Sequence, residues 1–309
     1  MELGVALPTS ARYASAENIV RIAQEAEHLG YTSLWTYERL LYPIAGITQP
    51  DGSTWQLPES YKSTYEPLET LSYVAAHTQR IKLGTSIVNA PFQSPVLLAR
   101  RFATLDRFSN GRVIAGLGQG WMPQEFATSN VSIKERGKRF EEYIMTLRAI
   151  WGPDPVSFEG SFYHIPASII HPKPVQQGGI PILLGFNTPA ALKRAARLAD
   201  ILNPIASTFE ALERTVLAFR SAAQEAGCDP STLKVIVRAN VPITASPLPE
   251  GKRPLLGGSP AQIAQDLARV RTLDVDEVFL NDQASLTVEE AIQRLQEIQV
   301  AVRQEGYSS

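Results

Sequence analysis

Apolar positions along the chain switch repeatedly between two periods. Leu3 to Leu7 form a short continuous run of the strand kind, and Ile19, Ile22, Ala23, Ala26 and Leu29 then fall on one helical face. Further runs at Ser33 to Tyr37, Ile81 to Val88, Arg112 to Gly116, Pro181 to Gly185, Ile201 to Ile205, Leu233 to Ile243 and Glu277 to Leu280 predict seven more strands. Helical stripes follow each run, among them Leu98, Phe102 and Leu105, then Phe140, Ile144, Leu147 and Trp151, then Leu212, Val216 and Phe219. The stretch "GGSPAQIAQDL" supplies Ser259 as an N-cap and Pro260 as a first helical residue. Strands alternating with helices pair in parallel, and eight such units close into a (β/α)8 TIM barrel.

A barrel of this kind takes about 250 residues, so part of the 309-residue chain must lie in insertions. Residues 40–66, after the second strand, hold turn residues and the aromatics Tyr42, Trp55, Tyr61 and Tyr65. Residues 152–180, after the fourth, contain "VSFEGSFYHI", an alternating hairpin that turns at Gly160. Neither insertion has the apolar content of a separate core, so residues 1–309 are read as one domain.

Composition narrows the partners. With 44% hydrophobic and 19% charged residues and a net charge of −2, the chain has no electrostatic footprint for nucleic acid or an anionic membrane. No apolar run is long enough to span a bilayer. The start, "MELGVALPTS", enters a strand-like run without a charged leader, and the single Cys228 permits no internal disulfide, so cytoplasmic residence is the expectation. The four histidines have no zinc-type spacing, and no metal site is expected.

Chemistry in a barrel sits at the C-terminal ends of its strands. Lys82 and Lys234 start strands, which disfavours a Schiff-base lysine. Glu38 and Asp282 end strands two and eight, but the intervening strands finish in Asn89, Gly120, Phe186, Asn203 and Thr244, a poor nest for magnesium. Trp35, Tyr37, Ser86, Asn89, Gln119, Trp121, Phe186 and Asn187 are expected to line the mouth, and such a lining suits a flat conjugated ring. For Trp35 and Trp121 packing at the barrel top is the competing expectation. The run "GRVIAGLGQGWMPQEF" begins like a dinucleotide turn at Gly116 and Gly118. However, it puts Trp121 where that turn needs a third small residue, which argues against a Rossmann fold.

The segments "RIKLGTSIVNAPFQSPVLLARRFATLDRFSNGRVIAGLGQGWMPQEF", "ERGKRFEEYIMTLRAIW", "VSFEGSFYHI", "HPKPVQ" and "IPILLGFNTPAALKRAARLAD" together resemble the luciferase-like monooxygenase superfamily. Within it they are most similar to oxidoreductases that use the deazaflavin coenzyme F420. The resemblance covers nearly the whole chain and implies a hydride transfer between deazaflavin C5 and a small organic substrate. It implies that Gly118, Gln119 and Gly120 pass close beneath the ring, with Trp121 and Gln124 projecting into the mouth. A non-proline cis peptide at Ser86-Ile87, near Asn89, would press backbone against one ring face. Gly185, Phe186, Asn187 and Thr188, ahead of a helix start, would receive the cofactor's phosphate on free amides. Members often place a carboxylate and a histidine where this chain has Glu38-Arg39. An arginine exchanges no proton near neutral pH, so Arg39 orients an anionic substrate, or Glu38 does the acid–base work, or the relay differs. FMN is the alternative cofactor, with a monooxygenase or a non-catalytic flavin-binding barrel as alternative functions. The resemblance also implies a homodimer, and it makes residues 40–66 a lid.

Overall fold

The structure is a computed structural model and describes residues 1–10, 12–49, 51–186 and 188–306. Eight parallel strands form its centre: β1 (Glu2–Ala6), β2 (Ser33–Thr36), β3 (Lys82–Thr85), β4 (Val113–Gly118), β5 (Ile182–Leu184), β6 (Ile201–Leu202), β7 (Lys234–Val241) and β8 (Glu277–Asp282). Each pairs with its successor, and β8 pairs back onto β1, so the sheet closes as the (β/α)8 barrel that the apolar pattern predicts. Helices α1 (Ala16–Leu29), α2 (Pro67–Ala75), α3 (Pro95–Phe108), α4 (Pro123–Thr128), α5 (Arg136–Trp151), α6 (Pro189–Leu198), α7 (Phe209–Glu225), α8 (Pro260–Val270) and α9 (Val288–Gln304) connect them. Their apolar stripes lie against the outer barrel wall: Leu98, Phe102 and Leu105 are all at or below 1% exposure. Burying a side chain of that size is worth about 1.5–3 kcal/mol. Ser259 caps α8 as predicted, and Gln262 returns the bond to make a full capping box. No helix among the described residues is long and apolar enough to cross a membrane.

The strand limits differ from the sequence reading in two informative places. The run from Ile81 to Val88 does not continue as one strand: β3 stops at Thr85, and only Val88–Asn89 rejoin the sheet, beside Leu117 and Gly118 of β4. The run from Ile201 to Ile205 yields just two strand residues, after which Ile205 makes one isolated bridge to Arg238. Both interruptions lie at the C-terminal pole. The predicted hairpin in the second insertion is present, with Val156–Glu159 paired antiparallel to His164–Ser168.

A dry plug fills the barrel interior: Trp35, Ile114, Leu183, Ile201, Ile236 and Phe279. Trp35 stacks on Phe279 with ring centroids 4.7 Å apart. The expectation that Trp35 lines the mouth is corrected here, because it is 1% exposed and its Nε1 donates to Ser33 and Glu277 at the opposite pole. The cause lies on the neighbouring strands. Gly84 sits opposite Trp35 in register, and a Cβ there would lie 2.3 Å from the indole ring; Gly4 on β1 is equally crowded. Two glycines therefore open a ring-sized space inside the barrel, and the tryptophan turns down into it.

Candidate active site

The gap between Thr85 and Val88 is a bulge whose Ser86-Ile87 peptide is cis. Backbone and side chains from several strands fix it. Ser86 N–H donates to the Thr36 carbonyl at 2.7 Å, and Ser86 Oγ donates to Asn203 Oδ1 at 2.7 Å. Asn203 Nδ2 in turn donates to the Ile236 carbonyl at 2.7 Å. The Ser86 carbonyl accepts from Arg238 Nη1 at 2.5 Å, and the Ile87 carbonyl accepts from the Glu38 amide at 3.1 Å. Every polar group of the bulge named here is partnered, which holds such a segment in one conformation.

The C-terminal pole contains a cavity of about 380 Å3, walled by Pro8, Tyr37, Tyr61, Arg238, Asn240 and Asn281 among others, and Arg238 links that wall to the bulge. That volume falls in the roughly 300–1,000 Å3 range of small-ligand sites. A larger cavity, about 600 Å3, lies at the other pole against Glu277, Lys82 and Lys234. Strand starts, not strand ends, surround it, and barrel chemistry belongs at the ends. Tyr37 stands against Tyr61 with centroids 5.9 Å apart, and its hydroxyl donates to Ser10 at 2.5 Å. Burial raises the Tyr37 phenol above its ordinary value, so it remains a neutral donor.

Residues 40–66 cover this pole. Ile47–Thr48 and Thr54–Trp55 form a small hairpin, and Ile47 and Leu57 bury against Met122. Arg39 clasps the insertion from beneath. Its guanidinium lies 4.9 Å from the Tyr61 ring and 5.2 Å from the Trp121 ring, and it pairs with the fully buried Glu125 at 3.1 Å. The Leu40 amide bonds to the same carboxylate at 3.0 Å. Trp121 packs at a tilt against Trp55 with centroids 5.8 Å apart, Gln124 reaches the Gly46 carbonyl at 3.4 Å, and Tyr42 donates to the Leu57 carbonyl at 3.1 Å. Most of the insertion's aromatics thus hold the insertion together, and Tyr61 is the one that walls the cavity.

The residues singled out from sequence fall into three places. Ser86, Ile87 and Asn89 form the bulge. Glu38 stands behind it: Oε2 accepts the Asn89 amide at 2.7 Å and Oε1 faces Gln93 at 3.3 Å. Burial pushes the Glu38 carboxyl up to about 7, against the pull of the Asn89 amide, with Glu66 and Glu125 adding to the rise. Glu38, Arg39 and Trp121 lie outside the cavity wall. Side chains of the protein itself occupy the space over the glycines. A Cβ on Gly118 would lie 2.3 Å from Ile87, and one on Gly120, at φ +77°, would lie 2.9–3.0 Å from Phe92 and Phe126. Gln119, between them, is half-buried. Gly185 lies at the β5 exit, Phe186 and Thr188 line a separate open groove, and Thr188 Oγ1 caps α6 by accepting the Ala191 amide. Asn187 lies outside the described residues. Among the described residues no group of three His, Cys, Asp or Glu side chains could hold a metal.

Arg238 and Asn240 are the site residues that sequence reasoning passed over. Their signal was present in "KVIVRANV": two polar residues at alternate positions, hence on one face, in the second half of an otherwise apolar barrel strand.

Fold and cavity define a (β/α)8 barrel with a polar, aromatic-walled site at the C-terminal pole, braced by a cis-peptide bulge on its third strand. The chain belongs to the luciferase-like monooxygenase family, whose model matches residues 1–247. It is 30% identical over 204 residues to the F420-dependent glucose-6-phosphate dehydrogenase of Amycolatopsis mediterranei, a match spanning 64% of this chain and 56% of that relative's length. In fold it is similar to the monooxygenase RslO1 from Streptomyces bottropensis, with TM-score 0.81 and 23% identity over 99% of this chain and 100% of that one. It is also similar to the coenzyme F420 dependent tetrahydromethanopterin reductase from Methanopyrus kandleri, with TM-score 0.79 and 18% identity over 98% and 99%.

Proposed function

We propose that this protein is an oxidoreductase that uses coenzyme F420 and exchanges a hydride between the deazaflavin C5 and a small organic substrate. The observation that carries the reading is a ligand-sized cavity at the C-terminal pole whose wall residue Arg238 also holds the Ser86 carbonyl of the β3 bulge. Family membership and the F420-dependent relative support it.

The residues present fit a planar ring. Tyr37 offers flat apolar surface, and Asn240 and Asn281 offer hydrogen-bonding groups for polar ring edges. The bound cofactor would supply the hydride chemistry, and the protein would supply position and dryness. The bulge would offer one ring face a firm support, since the Ser86 amide and the Ser86 and Ile87 carbonyls are committed elsewhere. Gly118 leaves room for Ile87 to fold down beside β4. Gly185, Phe186 and Thr188, ahead of α6, would take the phosphate at that helix start. Residues 40–66, clasped by Arg39, Glu125 and Trp121, would exclude water from above. Glu38, protonated up to about neutral pH, would hold a proton at its carboxyl next to the bulge.

Titration with F420 and, in parallel, FMN, followed by ring absorbance and fluorescence, tests the reading. Saturable binding of F420 and a weaker response to FMN is the expected result. Absence of F420 binding overturns the proposal.

A further inference from the structure

Arg238 is charged, held in the wall of the cavity, and short of partners. Its Nη1 donates to the Ser86 carbonyl at 2.5 Å and its Nε to Asn240 Oδ1 at 2.8 Å. Asn240 Oδ1 is simultaneously taken by Asn281 Nδ2 at 2.8 Å, which fixes the acceptor that orients the guanidinium. Its carbon lies 5.6 Å from the Tyr37 ring centroid. An arginine carries five N–H donors, and two are spent on these neutral acceptors.

Other arginines of the chain make the contrast. Arg39 pairs with Glu125, Arg253 with Asp266, Arg148 with Asp200 and Arg220 with Asp274. Arg112 lacks a carboxylate but places its donors on the Thr78 hydroxyl and the carbonyls of Ala75, Thr78, Ile81 and Ser109. Arg238 follows neither pattern. Among the described residues no carboxylate forms an ion pair with it, and its nearest electrostatic neighbours are Tyr61, Tyr37 and Arg39. The carboxylate that does line the cavity, Asp282, accepts the Ala284 amide on Oδ1 at 2.8 Å and keeps Oδ2 buried without a hydrogen-bond partner among the described residues, while Arg12 and Arg238 outnumber it in the lining. A half-buried guanidinium without a counter-ion is under-compensated, and a planar oxyanion offered to its remaining donors supplies the missing charge.

We propose that the cavity selects substrates bearing a carboxylate on a compact apolar or aromatic body, and that Arg238 is the residue that recognises the carboxylate. The carboxylate takes the donors left over by Ser86 and Asn240, while Tyr61 covers the apolar part. The F420 reading supplies only what is then done to this molecule; the recognition itself is a property of the cavity.

The probes are benzoate and its neutral analogue benzamide, measured by calorimetry and thermal shift on the full chain, with and without F420. Wild type is expected to bind benzoate at least tenfold more tightly than benzamide. R238M should erase that ratio, and R238K, which keeps the charge but not the planar fork, should retain part of it. Circular dichroism verifies that each variant is folded; should R238M fail to fold, the wild-type ratio and R238K carry the test. Equal binding of the two probes by wild type, or an undiminished ratio in folded R238M, overturns the proposal. A loss of F420 binding in R238M without any benzoate preference in wild type also overturns it, by assigning the guanidinium to the cofactor. Failure of F420 to bind wild type, with the benzoate ratio intact, would refute the redox reading and leave this inference standing.

Discussion

Glu277 offers a measurement that isolates one buried charge far from the candidate site. It starts β8 at the pole opposite the cavity, is 1% exposed, and accepts hydrogen bonds on Oε1 from the Ser33 hydroxyl and from Trp35 Nε1 at 3.1 Å. Burial pushes its carboxyl up to about 7 from an ordinary 4.5, although Ser33, Lys82 and Trp35 pull the other way. Between those values the folded chain holds a proton that the unfolded chain has released, so stability falls as pH rises. At about 1.4 kcal/mol per pH unit, the loss is on the order of 3 kcal/mol. It is absent below pH 4.5 and complete above pH 7. Glu277→Gln keeps an Oε1 acceptor for both donors and cannot ionise. Urea unfolding with linear extrapolation at pH 5 and pH 8 should show the variant gaining about 3 kcal/mol over wild type between the two conditions. A stability difference independent of pH, or one that moves the other way, refutes the reasoning.

Gly116→Ala would set a Cβ 1.6 Å from the Thr85 carbonyl, where only backbone can give way; expression as insoluble protein, or destabilisation beyond about 3 kcal/mol, is expected, and a normal melting temperature would contradict the packing. Gly118→Ala meets only the Ile87 side chain, so it should fold at a cost of about 1–3 kcal/mol while weakening F420 binding in the absorbance titration. Glu125→Ala strands the Arg39 guanidinium between Tyr61 and Trp121. Breaking such a buried pair costs about 3–5 kcal/mol, and limited proteolysis should cut within residues 40–66 faster than in wild type; unchanged cleavage would mean that the pair does not secure the lid.

The barrel was legible because its signal is repeated: eight alternations of period survive an error in any one of them. The bulge was legible only through resemblance, since nothing in the letters of Ser86-Ile87 distinguishes a cis peptide from two more strand residues. Trp35 shows the limit of reading one strand at a time. Its direction was set by Gly4 and Gly84 on the two flanking strands, about thirty and fifty residues away in sequence. Arg39 and Trp121 read as mouth residues because each follows a strand end, yet a buried partner (Glu125) and the insertion's aromatics claim them. Nothing in the letters around Glu125 marks it as a buried acid. Arg238 and Asn240 were visible in principle, and were hidden by attention to strand termini instead of to the inward face before the terminus.

The stacked pair Trp35–Phe279 and the four aliphatic side chains around it have an electrical consequence. They separate two hydrated compartments, one containing Glu277 and its lysine neighbours, the other containing Arg238 and the tyrosines. Apart from the Trp35 indole N–H, committed to Ser33 and Glu277, these six side chains carry no polar hydrogen, and a low-dielectric disc conducts protons poorly. The ends of the molecule can therefore titrate as separate cells, and residues around the lower one can be redesigned for stability without retuning the chemistry above.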